Sequence, residues 1–263
     1  MKYLHPRNRA ILREMVITDF KVRYQNSVLG YMWSLLKPLF LFAILYIVFT
    51  YIIPLGKGIV HYPVYLLTGI VFWNFFVEST VLGAGSVVSR ASLIRKISIP
   101  RYLVVISSSL SALINLGLGL IVVFIFALFN GVMPTLSWLL IIPIILEVFV
   151  FTLGLSFLLA ALYVKFRDVT YIWEIVLQAG FYATPIIYSL KSIPEQYHKW
   201  FFLNPMAQII QDARYVVVTN TSITVWSTIH SLAVVMPFIV ILLFVATGSY
   251  YFKRRSKYFA EDI

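Results

Sequence analysis

The 263-residue chain is 61% hydrophobic and 12% charged, and its mean hydropathy of +0.91 excludes a soluble globular domain, which has too little interior to bury so much apolar surface. A net charge of +11 in a soluble chain would raise the question of nucleic acid, but here the cations cluster between apolar runs, where cytoplasmic loops meet anionic headgroups, so no nucleic-acid partner is expected. With no cysteine in the chain, disulfides, thiolate metal sites and cysteine catalysis are excluded.

The chain opens on a segment of helical pattern. Ile11, Leu12, Met15, Val16 and Phe20 form an apolar stripe, and Arg9, Arg13, Glu14 and Lys21 lie away from it. Residues 1–31 therefore read as a cytoplasmic interfacial helix. Asp19 falls inside the stripe, where an i,i+4 pair with Arg23 would make it tolerable. No secretory signal peptide is expected, because the first apolar run begins only near Met32 and no small-residue cleavage site follows it.

Six runs are long enough to cross roughly 30 Å of hydrocarbon. They are Met32–Ile53, Val64–Val88, Tyr102–Phe129, Leu136–Val164, Val169–Leu190 and Leu232–Phe252. The fifth has the least certain boundary, with Glu174 and Gln178 near its start, and Pro185 and Pro237 are expected to kink or break their helices. Sixteen of the 21 Lys and Arg lie before the first span, after the sixth, and in the loops that follow the second and fourth; Lys57, Lys191, Lys199 and Arg214 fall in loops of the other side, and Lys37 inside a span. The positive-inside rule then places both termini in the cytoplasm of a multi-pass membrane protein. The fold class expected is all-α and integral to the membrane.

Between the fifth and sixth spans, residues 191–231 are neither plain loop nor span. Asn204-Pro205 reads as an N-cap followed by proline at the first helical position. From there Gln208, Gln211, Asp212 and Tyr215 fall on one face and Met206, Ile209, Ile210, Ala213 and Val217 on the other. That is the pattern of a helix lying in or dipping into the outer leaflet, or of an ordinary surface helix on an external loop.

Chemistry-bearing constellations are sparse. Of the ten acids only Glu261 and Asp262 are adjacent, in the tail; the four histidines are scattered, so neither a metal site nor a catalytic site is expected. Gly56-Lys57-Gly58 does not complete a phosphate-binding loop, so any ATP-driven motor must be a separate chain. Lys37 lies about 8 Å into the first span and Glu78 about 15 Å into the antiparallel second, from the same side, which permits an ion pair; alternatively Lys37 snorkels and Glu78 faces a watery cavity. Glu147 sits near the centre of the fourth span without an evident partner. Aromatic residues make up 17% of the chain. Many fit interfacial belts, but Tyr46, Trp73, Phe75, Phe76, Phe181 and Tyr182 fall within spans, where they either pack or line a conduit suited to sugar rings.

The stretch from Arg23 through Asn26-Ser27-Val28-Leu29-Gly30-Tyr31-Met32-Trp33 to Lys37-Pro38-Leu39 resembles the approach to the first span in type-2 ABC permeases that export polysaccharide, teichoic acid or O-antigen. Arg95-Lys96-Ile97-Ser98-Ile99-Pro100-Arg101, Phe166-Arg167-Asp168-Val169, Thr184-Pro185-Ile186-Ile187-Tyr188 and Asn204-Pro205-Met206 follow in that family's order. The resemblance implies a homodimer of six-span subunits around a central conduit, clasped by two ABC ATPase subunits that hold the ATP and Mg. It implies an undecaprenyl-diphosphate-linked glycan as cargo, with the rhamnan and teichoic-acid members most similar. It also implies that the amino-terminal helix and a coupling helix at about 91–99 seat in the ATPase. Arg13, Phe20, Arg90, Leu93, Ile94, Arg95, Lys96, Ile97 and Arg101 are then coupling residues, and the arginines would serve equally as membrane anchors. Conduit-lining candidates are Trp33, Lys37, Tyr46, Trp73, Glu78, Phe181 and Tyr182. Short re-entrant helices at about 191–225 would close the outer mouth, with Asn204, Pro205, Gln208, Gln211 and Asp212 as gate residues. The competing readings are a proton-coupled carrier using Glu78 or Glu147, a membrane glycosyltransferase, and a permease of the same family for a drug or another lipid.

Overall fold

The computed structural model describes residues 6–24, 30–96, 99–229 and 232–259, and all regular structure among them is helical. Eleven α-helices occur in the described residues: α1 Pro6–Tyr24, α2 Trp33–Ile47, α3 Tyr62–Ser89, α4 Ala91–Lys96, α5 Arg101–Phe129, α6 Ile141–Lys165, α7 Val169–Ala183, α8 Glu195–Phe201, α9 Pro205–Val217, α10 Val225–Thr228 and α11 Met236–Arg255. Five of them, counting α2 with its π-helical extension Val48–Ile52 and α6 with the 3₁₀ turn Leu136–Leu140, are long and apolar enough to cross a membrane.

Helix α3 is the hub. It is buried along most of its length and packs against α2, α5, α6, α7 and α9. Small residues permit that centrality. A Cβ on Gly83 would strike Ser156 of α6, whose hydroxyl donates to the Ser79 carbonyl at 3.1 Å, and a Cβ on Gly119 of α5 would lie 2.9 Å from Val71. The buried hydroxyls of Thr68, Thr80, Ser107, Ser108 and Ser111 donate back to carbonyls three or four residues earlier in their own helices, so they enter the apolar interior satisfied.

The closest approach is between α6 and α11. A Cβ on Gly248 would overlap the Gly154 carbonyl oxygen, and one on Gly154 would lie 2.7 Å from the Val245 Cα. The two glycines let backbone rest on backbone, with no side chain able to yield. At the opposite extreme, α2 buries only Phe42 and α7 only Leu177. Ile44, Ile47 and Tyr51 on one, and Tyr171, Ile175 and Tyr182 on the other, are more than half exposed. Faces this apolar are met by hydrocarbon or by protein, not water.

The structure departs from the sequence expectations for the length of the fifth span and for Pro237, while Pro185 breaks its helix as expected. The run expected as a fifth span, Val169–Leu190, is helical only to Ala183, and a 15-residue helix is about 22 Å long. Pro185 has no N–H to continue the ladder and holds Thr184 extended, at φ −92° and ψ 137°. Pro237 kinks nothing, because it falls in the first turn of α11, where the missing N–H would have had no partner.

Replacing Gly248 with alanine should overpack the α6–α11 seam and cost about 1–3 kcal/mol. The fall in melting temperature of the detergent-purified protein would measure it. Gly85→Ala, whose added Cβ meets nothing within 4 Å, should be neutral or stabilising by about 0.5–1 kcal/mol, since alanine is the better helix former.

Candidate functional site

The chain after α7 is non-helical and buried, an arrangement that a membrane-embedded segment tolerates only when its carbonyls find donors. They do so one after another. Arg214 Nη1 donates to the Pro185 carbonyl at 2.5 Å and Nη2 to that of Ile186 at 2.6 Å. The Tyr62 hydroxyl donates to the Ile187 carbonyl at 3.1 Å and the Tyr65 hydroxyl to that of Tyr188 at 3.3 Å. Two tyrosines three residues apart in the first turn of α3 and one arginine of α9 thus replace the hydrogen-bond ladder that Pro185 ends.

Arg214 is completely buried. Its Nε donates to the Tyr65 carbonyl at 3.1 Å, Nη1 also donates to Gln211 Oε1 at 2.9 Å, and the guanidinium lies 3.4 Å from the centroid of the Tyr65 ring. A guanidinium keeps its proton even where it is buried, so Arg214 is a cation here. Gly69 makes the space: a Cβ there would stand 2.6 Å from Arg214 Nη2. Counting along α3, Tyr65 and Gly69 lie roughly 5 and 10 Å in from the helix end at Tyr62. Sequence reasoning set Arg214 among the loop cations of the outer side. Its one available signal was its place on the polar stripe, three residues after Gln211.

The predicted helix start at Asn204 is present. Its Oδ1 accepts from the Met206 backbone N–H at 3.0 Å, and its Nδ2 donates to Thr184 Oγ1 at 2.9 Å, tying the start of α9 to the break after α7. Pro205 occupies the first helical position. The polar face of α9 does not look outward. Gln208 and Gln211 are buried with the apolar face, and of the four polar-face residues only Tyr215 is exposed. Gln211 spans the Arg214 guanidinium and, through Nε2, the Ile223 carbonyl at 2.9 Å. Gln208 Nε2 bridges two carboxylates, Asp212 Oδ2 at 2.7 Å and Glu147 Oε2 at 3.5 Å, which gives Glu147 of α6 the partner that the sequence did not reveal.

A second feature is a cavity of about 780 Å³ between α2, α3 and α5. Its polar groups are Ser34, Lys37, Asn74, Glu78 and Asn115, set against Trp33 and Phe75. Lys37 and Glu78 do share this space, and Glu78 accepts a hydrogen bond from Asn115 Nδ2 at 2.7 Å. Trp33, Lys37 and Glu78 are the conduit candidates brought together here. The others are placed elsewhere. Tyr46 packs between Phe42 and Tyr62; Trp73 is buried against Phe76 and Phe181; Phe181 meets the exposed Tyr182.

At the far end of the bundle Asp19 of α1 pairs with Arg90, which ends α3; the side chain of Arg23, its expected partner within α1, lies outside the described residues. Arg90 also donates to the Val104 carbonyl at 3.3 Å and to Ser107 Oγ at 3.2 Å, so it joins α1, α3 and α5. Arg13 is exposed, Leu93 and Arg101 are half-buried, and Ile94 packs on the bundle's own cluster around Val87 and Val164. Ile97 and the side chains of Phe20, Arg95 and Lys96 lie outside the described residues. No three His, Asp or Glu side chains gather as a metal set among the described residues.

Residues 12–218 match the family described as ABC-2 type transporter. An O-antigen export system permease protein RfbA of Klebsiella pneumoniae is 33% identical over 210 residues, 79% of this chain and 80% of that protein. A second of that name and organism is 35% identical over 199 residues, 74% and 76% of the two chains. The polysialic acid transport protein KpsM of Escherichia coli is 21% identical over 214 residues, 78% and 80% of the two.

Two predictions follow from α9. Each buried carbonyl stripped of its donor costs about 1–3 kcal/mol, so Arg214→Met should free the Pro185 and Ile186 carbonyls and loosen 184–190. Because the chain has no cysteine, a Ser189→Cys thiol reports this directly, reacting with maleimide at least tenfold faster in the Arg214→Met background. Burial pushes the Asp212 carboxyl up to about 6 from an ordinary 3.8, against the pull of the Gln208 amide. A raised carboxylate pKa means that folding favours the protonated form, so its contribution to stability falls as pH climbs from about 4 to 6. Asp212→Asn should therefore melt above the parent at pH 7, with the gap closing below pH 4.

Proposed function

The chain belongs to the ABC-2 type transporter family, and from that premise we propose that it is the membrane-spanning permease subunit of an ATP-driven exporter of lipid-linked polysaccharide. The observation that carries the cargo class is the cavity between α2, α3 and α5. A carrier of hydrocarbon needs no lysine, carboxylate and paired amides at membrane depth, where each charge costs about 2.5–3.5 kcal/mol on insertion scales. A sugar does. Asn74, Asn115 and Glu78 offer donors and acceptors for hydroxyls, and Trp33 and Phe75 offer flat apolar faces for the ring. The names of the relatives, O-antigen and polysialic acid exporters, support the same class.

Export of a polymer needs a path wider than one subunit's groove. We take the sparsely covered faces of α2 and α7 as the surface where a second copy completes it. Six crossings per subunit follow if α7 and the segment Thr184–Leu190 together form the fifth. The Arg214 cage supports this, because it makes the non-helical part acceptable in hydrocarbon. With the cation-rich loops in the cytoplasm, α8 to α10 lie at the outer mouth, with Asn204, Pro205, Gln208, Gln211 and Asp212 at the closure. The ATP and Mg belong to two copies of a separate ABC ATPase seated against α1 and α4. Of the coupling candidates, Arg13 and Leu93 are free enough to touch it; Arg90 acts from behind, holding α1 to the bundle.

Cells lacking the chain should accumulate undecaprenyl-linked glycan on the cytoplasmic leaflet, and an ABC ATPase should co-purify with the chain when it is expressed from its native locus. Trp33→Ala and Glu78→Gln should each lower export at least tenfold at unchanged protein level, scored by surface glycan. Export that stops when the proton gradient is dissipated while ATP persists would instead favour a proton-coupled carrier.

A further inference from the structure

A second cavity, of about 700 Å³, opens at the cation-rich end of the bundle between α1, α5, α6 and α11, remote from the polar groove. Arg101 opens α5 and Lys253 lies in the last turn of α11, and both line this cavity together with Ser256. None of its lining residues is acidic, and among the described residues neither cation makes an ion pair. Leu12 of α1 forms one wall, and farther in the lining is Ile106 of α5, Phe157 of α6 and Phe252 of α11, with Ser249 the one hydroxyl among them. Counted from the helix ends at Arg101 and Lys165, Ile106 and Phe157 lie roughly 8 and 12 Å inside the bundle.

Two cations and a hydroxyl above an apolar shaft match a molecule with a phosphate at one end and hydrocarbon at the other. We propose that this cavity is a structural binding site for one anionic phospholipid of the cytoplasmic leaflet. Its phosphate lies between Arg101 and Lys253, and an acyl chain runs past Ile106 and Phe157. A soluble partner is the poorer match, because the shaft descends below headgroup level, where a protein loop would leave its backbone unsatisfied. The N-terminal end of α5 adds positive potential at the same place. Leu12 makes α1 one wall, so an occupied site braces the amino-terminal helix against the bundle alongside the Asp19–Arg90 pair. The proposal depends on membrane embedding alone and is indifferent to what the protein transports.

The test is native mass spectrometry of the full chain released from nanodiscs containing equal phosphatidylglycerol and phosphatidylcholine. The expected result is one retained phosphatidylglycerol per chain. The double variant Arg101→Gln/Lys253→Gln and the shaft-filling Ile106→Trp should each retain at least tenfold less, and Arg167→Gln, a cation outside the cavity, should retain as much as the parent. Equal retention of the two lipids by the unaltered chain would overturn the site, and so would full retention by the double variant. Retention of an added polyprenyl diphosphate in place of phosphatidylglycerol would assign the cavity to cargo and overturn it equally. If the double variant fails to fold, the lipid preference of the unaltered chain and the Ile106→Trp result still decide.

Discussion

A buried peptide carbonyl must find its hydrogen-bond donor within the protein, and in this molecule one buried guanidinium and two tyrosine hydroxyls meet that demand where the helical ladder stops. Arg214 serves the carbonyls of Pro185 and Ile186, an α3 carbonyl and the Gln211 amide at once. A lysine, with one ammonium on a flexible stem, could not span that set; the planar fork of arginine can. The desolvation of the cation is offset by carbonyl dipoles and by the face of Tyr65, without a carboxylate. α9, the break after α7 and the Tyr62 end of α3 therefore form one unit, and a change in any of them acts on the others.

The same unit explains why α9 carries glutamines on a face that is not solvated. Gln211 orients Arg214, and Gln208 stands between two carboxylates, Asp212 and Glu147. An amide suits both positions because it donates and accepts without adding charge. The bundle beneath is built differently. Its close contacts are glycine and serine against backbone, with hydroxyls satisfied inside their own helices, the mode of packing expected where lipid removes any hydrophobic advantage to helix association. Tight seams of α6 with α3 and α11 stand beside α2 and α7, which are sparsely covered within the chain.

At the opposite end the architecture is again one of cations binding elements together. Arg90 ties α1, α3 and α5 through a carboxylate, a carbonyl and a hydroxyl, while Arg101 and Lys253 face a cavity and have no acid of their own among the described residues. The cations at this end thus have two structural uses. One cation is consumed inside the fold, and two are left for a ligand that the membrane itself supplies.

By itself the sequence determined the solvent, the class and the family: composition required lipid, apolar length marked five of the spans, Asn204-Pro205 marked the start of α9, and the motifs from Arg23 to Met206 identified type-2 ABC permeases. These are local properties, decided by runs of neighbouring residues and by the chemistry of proline and side-chain caps. The tertiary structure alone decided what each charged residue meets. Asp19 pairs with Arg90, 71 positions distant, which no spacing in the sequence reveals; Arg214 read as a loop cation and is buried against carbonyls 28 and 29 positions earlier. Charge acts through space, and the distances that govern it exist only once the helices have been packed.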